Sequence, residues 1–319
     1  MNTSTTSTQP LVTVTFVAWQ RRESLRLGIE SCRMQTYPWL EVVVVDNSPT
    51  DEIHRWLLDE YPHVRSIKTP RPIPLPAARN LLVATAAGEF VVFHDDDSYF
   101  ASPRDVSTAV NYAQEHPEAA CLAFRVGDGA QDWNPQFDGP VAGQHYTFIA
   151  CGTLFRRADF AAAGWYFEEF WLYGEERVIS LGFFGIGKEI HFLPSVSSIH
   201  IQENMGRAND NGARYHICDI VMVAGAALLK FPFPHVLFWY PALQLFYFLQ
   251  VAILRCRPIV AIKGLLIALR MIPAFLRHRR PISRENYHRW RVVRSQVNGE
   301  YLRRTGRWKW YHSWFPAVG

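Results

Sequence analysis

Short apolar runs alternate with helical periodicity along the first half of the chain. Leu11 to Ala18 reads as a strand, and Arg22 to Met34 follows with Leu25, Ile29 and Cys32 on one helical face. Glu41 to Asp46 is a second continuous apolar run, ended by a carboxylate. The turn Asn47 to Thr50, a helix from about Asp51 to Glu60 and a short strand from Val64 to Lys68 come next. Thr69 to Pro76 is too rich in proline for either regular element. A helix from Ala77 to Ala87 then leads into Glu89-Phe-Val-Val-Phe-His-Asp-Asp-Asp-Ser98, a buried strand that stops at three consecutive carboxylates. Strands apolar on both faces and alternating with helices predict an α/β fold, with a parallel sheet covered on either side. Farther on, the pattern predicts a helix over Pro103 to His116, a strand over Ala119 to Val126, a loop from Gly127 to Pro135 and a strand over Tyr146 to Gly152. A helix opens at Gly174-Glu-Glu with Val178, Leu181 and Phe184 in register, and strands come after it at Glu189 to Pro194 and Ser197 to His200.

In open α/β sheets, ligands sit outside the carboxyl ends of the strands, so Ala18, Asp46 and the run Asp95, Asp96, Asp97 should converge on one crevice. Three like charges in one turn raise one another's pKa unless a cation or a set of donors neutralises them. Mg²⁺ or Mn²⁺, hard and oxygen-seeking, is the candidate; the alternative is a solvated acidic loop.

Composition sharpens this reading. With 319 residues, 49% of them hydrophobic, the chain can bury one large core or one α/β domain with an appendage. The net charge of +4 hides a division: from Gly212 onward there are 17 Lys and Arg against 3 Asp and Glu, whereas residues 1–211 carry 16 against 26. An acidic first part suits a metal site. A basic, aromatic remainder suits an anionic membrane surface or a nucleic acid, and no recognisable nucleic-acid-binding module appears, so nucleic acid is set aside. Five widely spaced cysteines, with no CxxC pair, point to a reducing compartment and away from a disulfide framework. Residues 1–10 read as a disordered leader without the features of a signal peptide.

Trp19-Gln-Arg-Arg-Glu-Ser-Leu25 after the first strand, Gln35 to Ser48 with Val-Val-Val-Val-Asp46, Ala78-Arg-Asn80, Gly88 to Asp97 and Tyr173-Gly-Glu-Glu176 occur in one order and spacing. Together they resemble a family 2 inverting glycosyltransferase of the GT-A fold, over roughly residues 11–205. The resemblance implies a Rossmann-like, mixed but mainly parallel sheet flanked by helices. Residues 11–100 would form the nucleotide-sugar half and 101–211 the acceptor half of a catalytic domain. It implies that Asp46 hydrogen-bonds the nucleotide base beside Val17 and Ala18, and that Arg79 lies near the base or diphosphate. Asp95 would meet the ribose and Asp96 would belong to the same donor site. Asp97 would bind the Mn²⁺ or Mg²⁺ that bridges the phosphates, with His200 as a further ligand. Arg207, in the Asn204 to Asn211 segment, would reach for phosphate. Glu176 would be the general base, with Glu175 the second choice. The chain departs from the family where Gln20 replaces the usual Asn, where Pro74 and Pro76 stand in a loop that usually holds glycine, where Glu176 replaces Asp, and where Val178 replaces a further Asp.

The last third, 212–319, reads as a helical membrane-association region. Phe231 to Leu254 carries no formal charge, but Pro232, Pro234, Pro241 and two glutamines interrupt it. Lys263, Arg270 and Arg277 recur every seven residues among Ile, Val, Leu and Ala, the pattern of a helix lying in a membrane interface. Trp308 to Phe315 adds interfacial aromatics. The expectation is thus a metal-dependent hexosyl- or deoxyhexosyltransferase at the cytoplasmic face of the inner membrane, peripheral or monotopic. It would take a UDP, dTDP or GDP sugar to a glycan or lipid-linked acceptor in cell-surface polysaccharide synthesis, with homo-oligomerisation possible through the C-terminal helices. The alternatives are a processive polysaccharide synthase, for which Asn286-Tyr-His-Arg-Trp290 offers only a partial motif, and a sugar nucleotidyltransferase, whose glycine-rich loop is absent at Trp19 to Arg22.

Overall fold

The continuous apolar runs become the parallel centre of one mixed sheet. The computed structural model describes residues 9–128, 142–169, 174–201 and 212–305, with side chains as far as Arg303. The expected leader up to residue 8, Tyr173, Arg207 and the Trp308 to Phe315 cluster lie outside the described residues. In chain order the elements begin β1 (Val12–Ala18), α1 (Arg22–Arg33), β2 (Leu40–Asp46), α2 (Glu52–Glu60), β3 (Arg65–Lys68), α3 (Leu75–Thr85), β4 (Phe90–Asp95) and β5 (Ser98–Phe100). They continue α4 (Asp105–Glu115), β6 (Ala119–Gly127), β7 (Gly143–His145), β8 (Thr153–Arg156), α5 (Arg157–Ala163), α6 (Glu175–Gly185) and β9 (Glu189–His200). Four helices close the described chain: α7 (Ala213–Lys230), α8 (His235–Leu249), α9 (Pro258–Arg277) and α10 (Arg284–Thr305), with a π-helical turn, Gln250–Leu254, extending α8.

The sheet order is β3-β2-β1-β4-β8-β6-β9-β5, with β7 paired to β9. β3, β2, β1 and β4 run parallel, as continuous apolar strands require. β8 is antiparallel to both β4 and β6, and β9 runs parallel to β6. One face packs Phe16, Leu25, Ile29 and Trp56 beneath α1 and α2; the other packs Ala78, Leu82, Phe93, Phe155 and Phe183 beneath α3, α5 and α6.

Three segments differ from the sequence expectation. Tyr146 to Gly152 is not a strand: it turns, with the Ile149 carbonyl accepting from the Gly152 amide at 3.3 Å and from Thr153 Oγ1 at 2.6 Å. The alternate burial of Tyr146, Phe148 and Ala150 that imitates a strand arises inside this turn, while the ladder is supplied by β7 and β8 on either side. Glu189 to His200 is one strand. A register slip, from Phe124 opposite Leu193 to Arg125 opposite Ser197, takes up Pro194 as a bulge. Pro76 lies in the first turn of α3, where its missing N–H is not needed.

The core does not stop at residue 212. α7 buries Ile220 to Lys230 and packs on α6, α8 and α9, and Val251, Phe275, Tyr287 and Trp290 belong to the same cluster as Phe93. Gly264 permits this approach: a Cβ there would lie 2.8 Å from the Ile220 side chain. The outward faces of α8 and α9 stay exposed, with Phe238, Leu245, Ile253, Ile259 and Leu266 all more than half accessible.

Lys230 is buried at the end of α7, its Nζ donating to the Ala163 carbonyl at 3.2 Å. Burial, with Arg280 adding repulsion, pushes its ammonium down from 10.5 to about 8. Between these values the unfolded chain binds a proton that the fold releases, so stability is lost as pH falls from 10.5 to 8, by up to ~3 kcal/mol. Lys230→Met removes that dependence. Thermal unfolding from pH 8 to 10 should show the wild-type midpoint rising relative to the variant; parallel curves would refute the assignment.

Candidate active site

Strand register alone brings the acidic residues together. Val17 of β1 stands opposite Asp95 of β4, and Ala18 stands opposite Asp46 of β2, so the three strand ends share one edge. The turn leaving β1 must therefore lie beside the residues just after Asp95. Gln20 takes a left-handed backbone with φ 61°, a conformation Asn tolerates better than Gln, and the chain reverses there. The reversal presents the Trp19 amide to Asp96 Oδ2 at 2.6 Å. It also brings one Arg21 nitrogen to Asp96 Oδ1 at 2.7 Å and Asp97 Oδ2 at 2.8 Å.

Asp96 and Asp97 are buried. Burial pushes the Asp96 carboxyl up to about 7, against the pull of Arg21 and the Trp19 amide, and the Asp97 charge adds to the rise. β9 brings His200 opposite Ser98, and its Nε2 lies 2.8 Å from Asp97 Oδ1 and 3.8 Å from Asp95 Oδ2. Asp95, its side chain 31% exposed, is the most open of the three carboxylates to solvent.

Arg79 joins this cluster to a second one. From the buried side of α3 its NH2 meets Asp95 Oδ1 at 2.8 Å and its NH1 pairs with Glu175, the first residue of α6. Gly174 caps that helix at φ 91°, a backbone favouring glycine, against Met222 of α7. Glu175 is 1% exposed; burial first, then the Glu176 charge, raise its carboxyl, and Arg79 opposes them. Glu176 is half-buried, and its carboxylate has no hydrogen-bond partner among the described residues. Among the described residues, α6 therefore presents one carboxylate hydrogen-bonded to Arg79 and one without a hydrogen bond, lying in the field of Arg79 and Arg177.

Asp46 is fully buried. Its Oδ1 accepts from the Ser48 amide at 2.9 Å and from the Ser48 hydroxyl, its Oδ2 accepts from the His54 amide at 3.2 Å, and Lys68 Nζ lies 3.6 Å away. With both oxygens engaged and no surface exposed, Asp46 orders the turn after β2. Ala18 is tied to the same turn through its carbonyl, which accepts from the Asn47 amide at 3.0 Å, while Val17 packs against the core. Asn47 clasps the proline-rich segment, Nδ2 to the Ile73 carbonyl at 2.8 Å and Oδ1 from the Ile73 amide at 2.9 Å.

Sequence reasoning passed over Arg21 and Cys151. The first was legible as the cation nearest the β1 end once β1 and β4 are paired. The second is set by the turn that enters β8: Thr153 stands opposite Phe93, and the turn just before it brings Cys151 close to Asp95. Asp95, Cys151 and His200 each offer a ligand atom, all within 4.8 Å of one another. Together with Asp97, which shares His200 Nε2, this donor set fits a divalent cation.

A sheet parallel from β3 to β4, continued by an antiparallel β8, with acids at the β4 terminus, has the form of the GT-A class of glycosyltransferase. Residues 13–189 match the family model for glycosyl transferase family 2, and the chain belongs to that family. An uncharacterised glycosyltransferase of Haemophilus influenzae is 30% identical over 98 residues, 30% of this chain and 39% of that protein. The Escherichia coli UDP-Glc:alpha-D-GlcNAc-diphosphoundecaprenol beta-1,3-glucosyltransferase WfaP is 25% identical over 112 residues, 33% of this chain and 41% of that protein. These matches thus span about two fifths of the curated relatives' length. Among solved structures, S. aureus TarS 1-349 in complex with UDP-GlcNAc aligns at TM-score 0.59 and 16% identity, covering 95% of this chain and 90% of that one. The mannosyltransferase PcManGT from Pyrobaculum calidifontis, in complex with GDP-Man and Mn²⁺, aligns at 0.56 and 17%, covering 84% and 76%. At these identities the structures share the fold.

Arg79 is the buried counter-charge for two carboxylates, so Arg79→Met should destabilise the protein by about 3–5 kcal/mol in urea unfolding. Adding Glu175→Gln should restore part of the loss, with a coupling of about 0.5–3 kcal/mol. Strict additivity of the two substitutions would show that the pair is not energetically linked.

Proposed function

We propose that the protein is a metal-dependent inverting glycosyltransferase that moves a sugar from a nucleoside-diphosphate sugar to a hydroxyl of a glycan or lipid-linked glycan, in cell-surface polysaccharide synthesis. The observation that carries this reading is the division of labour set by Arg79: Asp95 and Glu175 are held by one guanidinium, and Glu176, one residue along, makes no hydrogen bond among the described residues. A base must reach an acceptor hydroxyl without being neutralised by its own scaffold. Glu176 takes the hydroxyl proton, the oxygen attacks the anomeric carbon, and the bond to the nucleoside diphosphate breaks with its electron pair leaving on the phosphate.

Asp97 and His200 would hold the Mn²⁺ or Mg²⁺, which when bound supplies positive charge to the departing diphosphate. Arg21 keeps Asp96 and Asp97 in place beforehand, and Asp95 keeps an exposed edge for the donor's ribose. The turn ordered by Asp46, with Val17 and Ala18 beside it, forms the floor for the base. The UDP-GlcNAc complex of TarS and the GDP-Man and Mn²⁺ complex of PcManGT support a nucleotide-sugar donor with a divalent ion on this fold, and the diphosphoundecaprenol substrate named for WfaP supports a lipid-linked acceptor.

The test is turnover of nucleoside-diphosphate sugars with Mn²⁺. Glu176→Gln should lower turnover by about 10² to 10⁴ while nucleotide affinity is unchanged, and excess chelator should abolish wild-type turnover. If Glu175→Gln alone keeps nucleotide affinity and loses turnover, the roles within the pair are reversed; undiminished turnover in Glu176→Gln and in chelator removes the reading.

Membrane attachment belongs to the same proposal. His235–Leu254 and Pro258–Arg277 are both long and apolar enough to cross a bilayer. Their exposed apolar faces, with Lys263, Arg270 and Arg277 exposed on α9, support a lie along the inner leaflet with the site facing the cytoplasm. Each basic group near an anionic leaflet contributes about 1 kcal/mol. The wild type should sediment with anionic liposomes and be partly released by salt, and the triple Lys263→Glu, Arg270→Glu, Arg277→Glu variant should stay mainly in solution. Resistance of the wild type to high salt and alkaline carbonate would point to a true span instead.

A further inference from the structure

Cys151 has no place in the chemistry above, yet it stands at the centre of the site. It lies in the turn that enters β8, it is 4% exposed, and its Sγ lies within 4.8 Å of a carboxylate oxygen of Asp95 and a ring nitrogen of His200. Its backbone is fixed from two other strands. The Cys151 carbonyl accepts from Ser198 Oγ of β9 at 2.7 Å and from Ser98 Oγ of β5 at 3.5 Å. β9 also delivers His200, and the Ile201 amide donates to the Asp97 carbonyl at 2.9 Å, so the thiol, imidazole and carboxylates are held by one set of paired strands. The other four cysteines lie elsewhere in the fold: Cys32 on α1, Cys121 within β6, Cys218 on α7 and Cys256 exposed after α8.

A thiol in this position changes which ion the site prefers. Carboxylate oxygens alone suit Mg²⁺ and Mn²⁺, whereas an added sulfur favours softer ions such as Co²⁺, Zn²⁺ or Cd²⁺. We propose that Cys151 Sγ, close to both Asp95 and His200, is a further direct ligand of the divalent cation held by Asp97 and His200, giving this site an O, N, S donor set selective for thiophilic ions over Mg²⁺. On coordination the thiol gives its proton to solvent and its sulfur lone pair to the ion, and no oxidant or reductant takes part. The inference rests on the proposal that the site binds a divalent cation, and the experiment separates the two.

The probe is Co²⁺ added to the purified full-length protein and followed by absorption. A thiolate bound to Co²⁺ gives a near-ultraviolet charge-transfer band, while Co²⁺ in any protein site gives weaker visible bands. Wild type should show both. Cys151→Ser should lose the charge-transfer band and keep the visible ones, Cys256→Ser should keep both, and the preference for Cd²⁺ over Mg²⁺ should fall at least about tenfold in Cys151→Ser. Visible bands with no charge-transfer band in the wild type, or a band that survives in Cys151→Ser, would overturn the thiol ligand and leave the metal site standing. Absence of all Co²⁺ absorption would overturn the metal site as well. Should Cys151→Ser fail to fold, cadmium NMR of the wild type decides alone, since a sulfur ligand shifts the resonance well away from that of an all-oxygen and nitrogen site.

Discussion

The structure depends on neutralising the carboxyl end of β4. Three consecutive aspartates are expensive to bury, and the fold surrounds them with partners drawn from distant parts of the chain: Arg21 bridges Asp96 and Asp97, Arg79 holds Asp95, and His200 closes on Asp97. Each partner arrives on a different element, one after β1, one on α3, one at the end of β9. Pairing these elements correctly is therefore also what makes the acids tolerable, and the site is assembled by the same contacts that close the sheet.

Arg79 extends that logic from the end of β4 to the start of α6. By pairing with Glu175 it fixes the first turn of α6 against α3, and Gly174 lets the chain enter that turn beside α7. α7 in turn packs on α8 and α9, whose outer faces are apolar and basic. A continuous path of packed elements thus runs from the acids to the surface proposed to meet lipid. This gives a physical reason for the shared core: the packed helices hold the exposed apolar faces of α8 and α9 in a fixed relation to the acids.

The segments that misread as strands show where local pattern fails. Tyr146 to Gly152 buries alternate residues without belonging to a ladder, because neighbouring layers reach it from both sides. Pro194 breaks the pattern of β9 but not the strand, since an unpaired bulge residue needs no N–H. In both cases burial is legible in the sequence and hydrogen-bond pairing is not.

The sequence by itself determined the parallel half of the sheet, from β1 to β4, and the convergence of Ala18, Asp46 and Asp95 to Asp97 at one edge. Continuous apolar strands separated by helices admit few other arrangements. It also singled out Arg79, His200 and the Glu175–Glu176 pair as chemistry-bearing positions. Only the tertiary structure decided what each of them touches. That Asp46 is spent on its own turn, that Arg79 takes Glu175 and leaves Glu176, that Arg21 serves as counter-charge and that Cys151 stands beside Asp95 are all consequences of where β8, β9 and α6 are placed. Those elements are antiparallel or distant in sequence, and their register is set by long-range packing that no local spacing encodes.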